Sequence, residues 1–333
     1  MTPLPAAELH LHIEGTLEPE LLVALAARNG VALATTDLAE LRARYRFADL
    51  QSFLDIYYAS LPVLRTDQDF YDLAAAYLER AAAAGVRRAE IFFDPQTHLG
   101  YGVPLATVFA GLSGALADAR ARHGLSADLI VCFLRNLGAE AADETLTAAL
   151  PFRDQFIGVG LDSTEVGYPP SLFKAVFARA AAEGLHRVAH AGEEGGPDYV
   201  WEALDLLGVE RIDHGIRAME DPALVQRLRA DQVPLTVCPL SNVALRAVNS
   251  MAEHPLPAML EAGLRVTLNS DDPAYFGGYL DDNVAAVGRE LGLGPEQFAV
   301  LARNSFDACF APAADKRRWK AEVDAALAGA VQH

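Results

Sequence analysis

Between positions 187 and 269 the chain reads Arg187-Val-Ala-His-Ala191, Arg211-Ile-Asp-His214, Pro234-Leu-Thr-Val-Cys238 and Arg265-Val-Thr-Leu-Asn269. Each run is short, apolar and partly β-branched, too brief for a helix but long enough for a buried strand. The segments between them, such as Pro222–Ala230 and Pro255–Ala262, carry helical spacing instead. Working back toward the N-terminus, the runs Ala7–Ile13, Arg88–Asp94, Asp128–Leu134 and Phe156–Asp162 repeat the pattern. Helix-like stretches Pro104–His123, Ala139–Leu150 and Pro170–Glu183 separate the later ones. Eight strand–helix units predict an α/β fold, a (β/α)8 TIM barrel, whose chemistry gathers at the C-terminal ends of the strands. A doubly wound open sheet shares the pattern and is left open by it.

The first interval is the exception. Between the first and second runs lie Pro19–Asn29, Leu38–Tyr45, Phe53–Leu61 and Asp67–Ala84, all helical in spacing. An insertion after strand 1 would lie over the barrel mouth as a lid. Phe53 and Leu54 are candidates to cover a ligand, although plain core is the reading preferred for aromatics on a helix. Extra helices, Asn283–Leu291, Pro295–Cys309 and Ala314–Ala330, close the chain. With no Pro/Gly/Ser-rich linker or internal repeat, residues 1–333 are expected to form one domain.

The 333 residues are 52% hydrophobic and 22% charged, a balance that excludes disorder. A formal charge of -18 is the wrong sign for a nucleic-acid groove or an anionic membrane. No long uncharged apolar run reads as a transmembrane helix, and the first residues do not read as a secretory signal. Cys132, Cys238 and Cys309 stand far apart and are expected to be free thiols in a reducing cytoplasm.

Chemistry-bearing residues sit at the predicted strand ends. His10-Leu-His12 places two imidazoles on one face of strand 1, because residues two apart on a strand point the same way. His190-Ala-Gly-Glu193 ends the fifth run, His214 the sixth, and Asp271-Asp272-Pro273 follows the eighth. Neutral imidazoles bind zinc, and three of them suit a catalytic site that keeps one position for water. A free carboxyl beside such a water, as Glu193 would be, is a natural proton carrier. Two adjacent carboxylates cannot both point inward, so Asp271 and Asp272 are expected to divide metal and substrate between them. The five other histidines, His98 and His254 among them, are read as loop or surface residues. None of the three lysines, Lys174, Lys316 and Lys320, ends a strand, so a two-metal site bridged by a modified lysine is not expected.

Taken in order, His10-Leu-His12, His190-Ala-Gly-Glu193, Asp213-His-Gly215 and Asn269-Ser-Asp-Asp-Pro273 resemble the adenosine/adenine deaminases of the metal-dependent amidohydrolase superfamily. The resemblance runs from about Pro5 to Asn304. It implies a barrel with one Zn2+ per chain, held by His10, His12, His190 and Asp271. It further implies that Glu193 protonates purine N1, that His214 orients and deprotonates the attacking water, and that Asp272 hydrogen-bonds N7.

The departures from the nucleoside-acting pattern point to a free base. Glu14 stands where adenosine deaminases typically carry an Asp that meets the ribose. Glu165, in Asp162-Ser-Thr-Glu-Val-Gly167, would fill the sugar's space and accept a hydrogen bond from N9–H. Cys238-Pro-Leu-Ser-Asn242, Phe92-Phe-Asp-Pro-Gln96 and Ser270–Tyr279 lean toward the adenine-acting branch. The implied reaction is hydrolysis of adenine to hypoxanthine and ammonia in purine salvage. Deamination of adenosine to inosine and a non-catalytic purine-binding barrel are the alternatives. The expected partner is a small purine, with no nucleic acid and no membrane; the oligomeric state is not readable.

Overall fold

A computed structural model describes residues 4–330. Eight parallel strands pair in sequence order: β1 (Ala6–Glu8), β2 (Val86–Phe93), β3 (Ser126–Leu134), β4 (Gly158–Asp162), β5 (His186–Ala191), β6 (Arg211–His214), β7 (Pro234–Val237) and β8 (Arg265–Leu268). Helical segments join each to the next, as parallel strands require. The order rules out the doubly wound alternative, which would reverse direction within the sheet. The strands are buried nearly throughout, which is why they read as apolar runs rather than as alternating ones.

Strand 1 departs from its expected length. Regular pairing ends at Glu8, and the stretch beyond it holds on through isolated bridges, Leu11 to Asp271 and His12 to Phe92. The first of these closes the barrel. His12 N–H donates to Asp271 O at 3.1 Å, and Asp271 N–H donates to His10 O at 3.0 Å. Below them, Leu9 N–H donates to the Asn269 side-chain oxygen at 2.8 Å. The seam between first and last strands is therefore built from candidate site residues and their neighbours.

The insertion after strand 1 is helical, as expected, with α1 (Pro19–Asn29), α2 (Leu38–Ala43), α3 (Leu50–Ser60) and α4 (Asp67–Ala83). Asp49 caps α3 and Thr66 caps α4, each accepting from the backbone N–H three residues on. Helices at Leu280–Leu291, Pro295–Ala308 and Ala313–Ala330 finish the chain. Among the described residues no helix is long and apolar enough to cross a membrane. All three cysteines are buried and free.

Inside the barrel, a fully buried ion network ties distant strands together. Arg211 Nη1 donates to Glu90 Oε2 at 2.6 Å, and Arg88 Nη2 to Glu90 Oε1 at 3.0 Å. Arg211 Nη2 also donates to Leu9 O at 3.1 Å, so β2, β6 and the end of β1 share one cluster. Two arginines hold the Glu90 carboxyl below its usual range against the cost of burial. Arg211→Leu would leave Glu90 short of a partner in a dry interior. It should lower unfolding free energy by about 3–5 kcal/mol in chemical denaturation.

Candidate active site

The C-terminal strand ends converge on a cavity at the barrel mouth. Its polar lining comes from His12, Asp94, Asp162, Ser163, His190, Glu193, His214, Asp271 and Asp272. Several strand ends contribute because each strand stops at the same rim. Three of these residues hold a backbone that side chains rarely adopt: Ser163 has φ 71°, His214 φ 64° and Asp271 φ 67°. Such strain persists only where surroundings enforce it, and it gathers at functional sites.

Four ligand atoms, from His10, His190, His214 and Asp271, lie within 4.8 Å of one another. His12 joins them, its Nε2 being 3.2 Å from His190 Nε2 and 3.6 Å from Asp271 Oδ1. His10 Nε2 is buried without a hydrogen-bond partner and stands 3.3 Å from Asp271 Oδ1. The outer atoms of this group are tied down. His10 Nδ1 meets Thr236 Oγ1 at 2.9 Å, His190 Nδ1 donates to Leu161 O at 3.1 Å, and Ser241 Oγ donates to Asp271 Oδ2 at 2.6 Å. His12 Nδ1 faces Asp162 at 3.6 Å. Buried imidazoles with their inner nitrogens crowded together and their outer ones fixed by oxygen atoms form a donor set that fits a cation. Burial and the neighbouring imidazoles keep His190 and His214 well below the usual histidine range, hence neutral.

Around this group stand carboxyls of a different character. Glu193 is buried, its Oε1 lacks a partner, and its Oε2 lies 3.4 Å from His214 Nε2. Burial, then the nearby Asp271 and Glu165 charges, push it well above the usual carboxylate range. Asp272 is raised by burial and by Asp271, and its Oδ1 is also unpartnered. Its carboxyl lies against Gly15, where an added Cβ would collide with it. Asp94, at the end of β2, and Asp162, at the end of β4, share a wall with His12. Burial and the Asp162 charge raise Asp94 well above the usual range. Each of the two has an unpartnered Oδ1.

His214 has a defined tautomer. Leu256 N–H donates to His254 Nδ1 at 3.1 Å, which leaves the His254 proton on Nε2, 3.2 Å from Asn242 Oδ1. Asn242 Nδ2 then donates to His214 Nδ1 at 3.3 Å. A neutral His214 must therefore carry its proton on Nε2, facing Glu193 and Asp271.

The structure brings His10, His12, His190, Glu193, His214, Asp271 and Asp272 together. It places Glu14 and Glu165 elsewhere. Glu14 is fully buried behind the cavity wall, where its Oε1 accepts from Asp94 N–H at 3.0 Å and pairs with His98 Nε2 at 2.7 Å. Glu165 has both oxygens occupied by backbone N–H groups of residues 192–195 and is not part of the cavity lining. Three other readings are corrected. His98 and His254 are buried and hydrogen-bonded rather than surface residues, and Phe53 and Leu54 line the cavity rather than serving only as core. Asp94 and Asp162 were missed, although each ends a strand, the same signal that marks His214. Thr236 touches His10, and His254 reaches His214 through Asn242; no local sequence pattern announces either.

The family model described as adenosine deaminase matches residues 5–326. The chain belongs to the adenosine deaminase family. Within this family, the adenine deaminase of Streptomyces coelicolor is 63% identical over 327 residues, covering 98% of this chain and 96% of that protein. The crystal structure of an adenine deaminase from Arthrobacter aurescens superposes with a TM-score of 0.96 at 56% identity, over 97% of this chain and 99% of that one. An amidohydrolase from Burkholderia ambifaria, solved with bound Zn, matches with a TM-score of 0.91 at 29% identity, over 99% and 92% of the two chains. These matches span nearly the whole length of each chain.

Proposed function

We propose that this deaminase-family chain is a zinc-dependent adenine deaminase, converting adenine and water to hypoxanthine and ammonia in the cytoplasm. The observation that carries the reading is the buried Glu193 carboxyl, held in its protonated range beside the imidazole cluster with one oxygen free. Relatives named adenine deaminase at 56–63% identity support the same substrate.

His10, His12, His190 and Asp271 would hold the zinc, one ion per chain. When bound, it would acidify the attacking water and so supply hydroxide near neutral pH. Glu193 gives its proton to purine N1 as the C6 carbon is attacked, which offsets the lost aromaticity. Asp272, on the rim at the end of β8, supplies a donor for N7. His214 holds the attacking oxygen through its Nε2–H. With Nδ1 accepting from Asn242, the ring orients that oxygen as a donor; of the two protons the water sheds, one returns to the Glu193 carboxylate and the other goes to the amino group, which leaves as ammonia.

Free base over nucleoside follows from the wall opposite. The Glu165 carboxylate is held by four backbone N–H groups and lies outside the cavity lining, so the task of meeting N9–H passes to Asp94 and Asp162, which line it and each keep one unpartnered oxygen. Adenosine has no N9–H to offer them, and its ribose would press on Phe53, Leu54, Tyr57 and Tyr58 of the lid. Adenosine deamination is the reading this displaces.

The first test is a paired ultraviolet assay with adenine and adenosine. Adenine should be preferred in kcat/KM by about a hundredfold or more, and Asp94→Asn should erode that preference by lowering the adenine value. A preference for adenosine would overturn the specificity reading. Glu193→Gln should lower kcat by about 10²–10⁴-fold with little change in KM. Because Glu193 must be protonated, activity should be present at neutral pH and fall as pH rises through its raised value, and the variant should lose that alkaline limb. Thr236→Val frees His10 Nδ1 and should weaken zinc affinity about 10–100-fold in a chelator competition.

A further inference from the structure

Glu165 lies on the loop after β4, is 1% exposed, and makes no contact with the cavity. Its carboxylate is nevertheless one of the most heavily bonded in the protein. Oε1 accepts from Gly192 N–H at 2.7 Å; Oε2 accepts from Glu193, Glu194 and Gly195 N–H at 3.2, 2.8 and 2.8 Å. Four successive amides converge on one anion because Gly192, at φ 75°, turns the chain sharply after His190 and Ala191. This is the backbone nest usually seen around phosphates, filled here by a side chain. The turn has further ties: Arg217 N–H donates to Gly192 O at 2.9 Å, and the Arg217 guanidinium to Glu194 O.

We infer that Glu165 is a positioning residue for Glu193: its carboxylate fixes the backbone of residues 192–195 and thereby aims the Glu193 carboxyl at the substrate. The reasoning is geometric. Glu193 has no side-chain hydrogen bond of its own within normal reach, with Oε1 unpartnered and Oε2 3.4 Å from His214. Its placement must come from its main chain, and its own N–H is one of the four that Glu165 holds. A glutamine at 165 would present an amide N–H₂ where donors already crowd, so part of the nest would open. An error of an ångström in a proton donor costs about a hundredfold in rate. The inference rests on Glu193 being the proton donor.

The test is a double-mutant cycle on the zinc-loaded protein with adenine as substrate. Glu165→Gln alone should lower kcat about 10- to 100-fold, with KM within about threefold of the parent. In the Glu193→Gln background, adding Glu165→Gln should cost less than about threefold, because the donor it aims is already gone. Zinc content should stay near that of the parent in all three variants. An equal loss in both backgrounds, with Glu193→Gln itself strongly impaired, overturns the role of Glu165 and leaves the donor reading standing. Full activity in Glu193→Gln overturns the donor reading and the inference with it. Loss of zinc from Glu165→Gln also overturns it, showing the carboxylate to support His190 instead. If Glu165→Gln does not fold, Gly195→Ala replaces it, since the added Cβ would stand 2.7 Å from Glu165 Oε1 and 2.8 Å from the Tyr199 ring and so press on the carboxylate. The same pattern of losses is expected from it, and additive losses refute the role equally.

Discussion

The barrel closes through the backbone of the residues that carry its chemistry, and this constraint organises the rest of the molecule. Among the described residues no regular ladder joins β8 to β1. Instead, β1 stops at Glu8, and the bond pair between Asp271 and residues 10 and 12 completes the ring. The positive φ of Asp271 is part of that closure. It lets Asp271 face the imidazoles while the next residue, Asp272, turns toward Gly15 and the cavity rim. Adjacent acids thereby take different surroundings, and burial among different neighbours drives them apart in acidity: Asp271 is held well below the usual range by the histidines, and Asp272 well above it.

The same logic of unequal surroundings governs the buried charges elsewhere. At the closed end of the barrel, Glu90 stays ionised because two arginines meet it. At the open end, Glu193, Asp94 and Asp272 have no cation of their own, so burial favours their protonated forms. One end of the barrel thus stores ionised pairs that hold strands together, while the other keeps neutral acids that can give up a proton. Arg135, just past β3 at the open end, braces that rim by donating from Nη1 to His190 O at 2.8 Å and from Nε to Tyr168 O at 2.9 Å.

Much of this was legible in the sequence, for reasons that also explain what was not. Strands buried on both faces leave continuous apolar runs, and a residue that ends such a run must sit at the rim. That rule located His190, His214, Asp271 and Asp272 without coordinates, and the spacing of His10 and His12 put both on one face. It should have located Asp94 and Asp162 as well, but a lone Asp after a strand is also an ordinary turn residue. Glu165 was legible as unusual and was given the wrong task. Sequence reports that a carboxyl lies near the site, whereas its partners are main-chain amides of a segment 27 to 30 residues away. Phe53, His98 and His254 failed for a related reason: whether a side chain on a helix or loop faces inward is set by tertiary packing, and no local pattern encodes it.

The lid is fastened at an informative place. Phe53 of α3 packs on Tyr275 and Phe276, with ring centroids 5.5 and 4.6 Å away, and Phe47 and Tyr45 extend the same aromatic group. Tyr275 and Phe276 belong to the short helix Pro273–Phe276, which begins directly after Asp272. Cover and chamber wall therefore share an anchor. The carboxyl that faces the chamber and the aromatic seat of its cover thus stand on one short turn, so neither can be re-sited without moving the other.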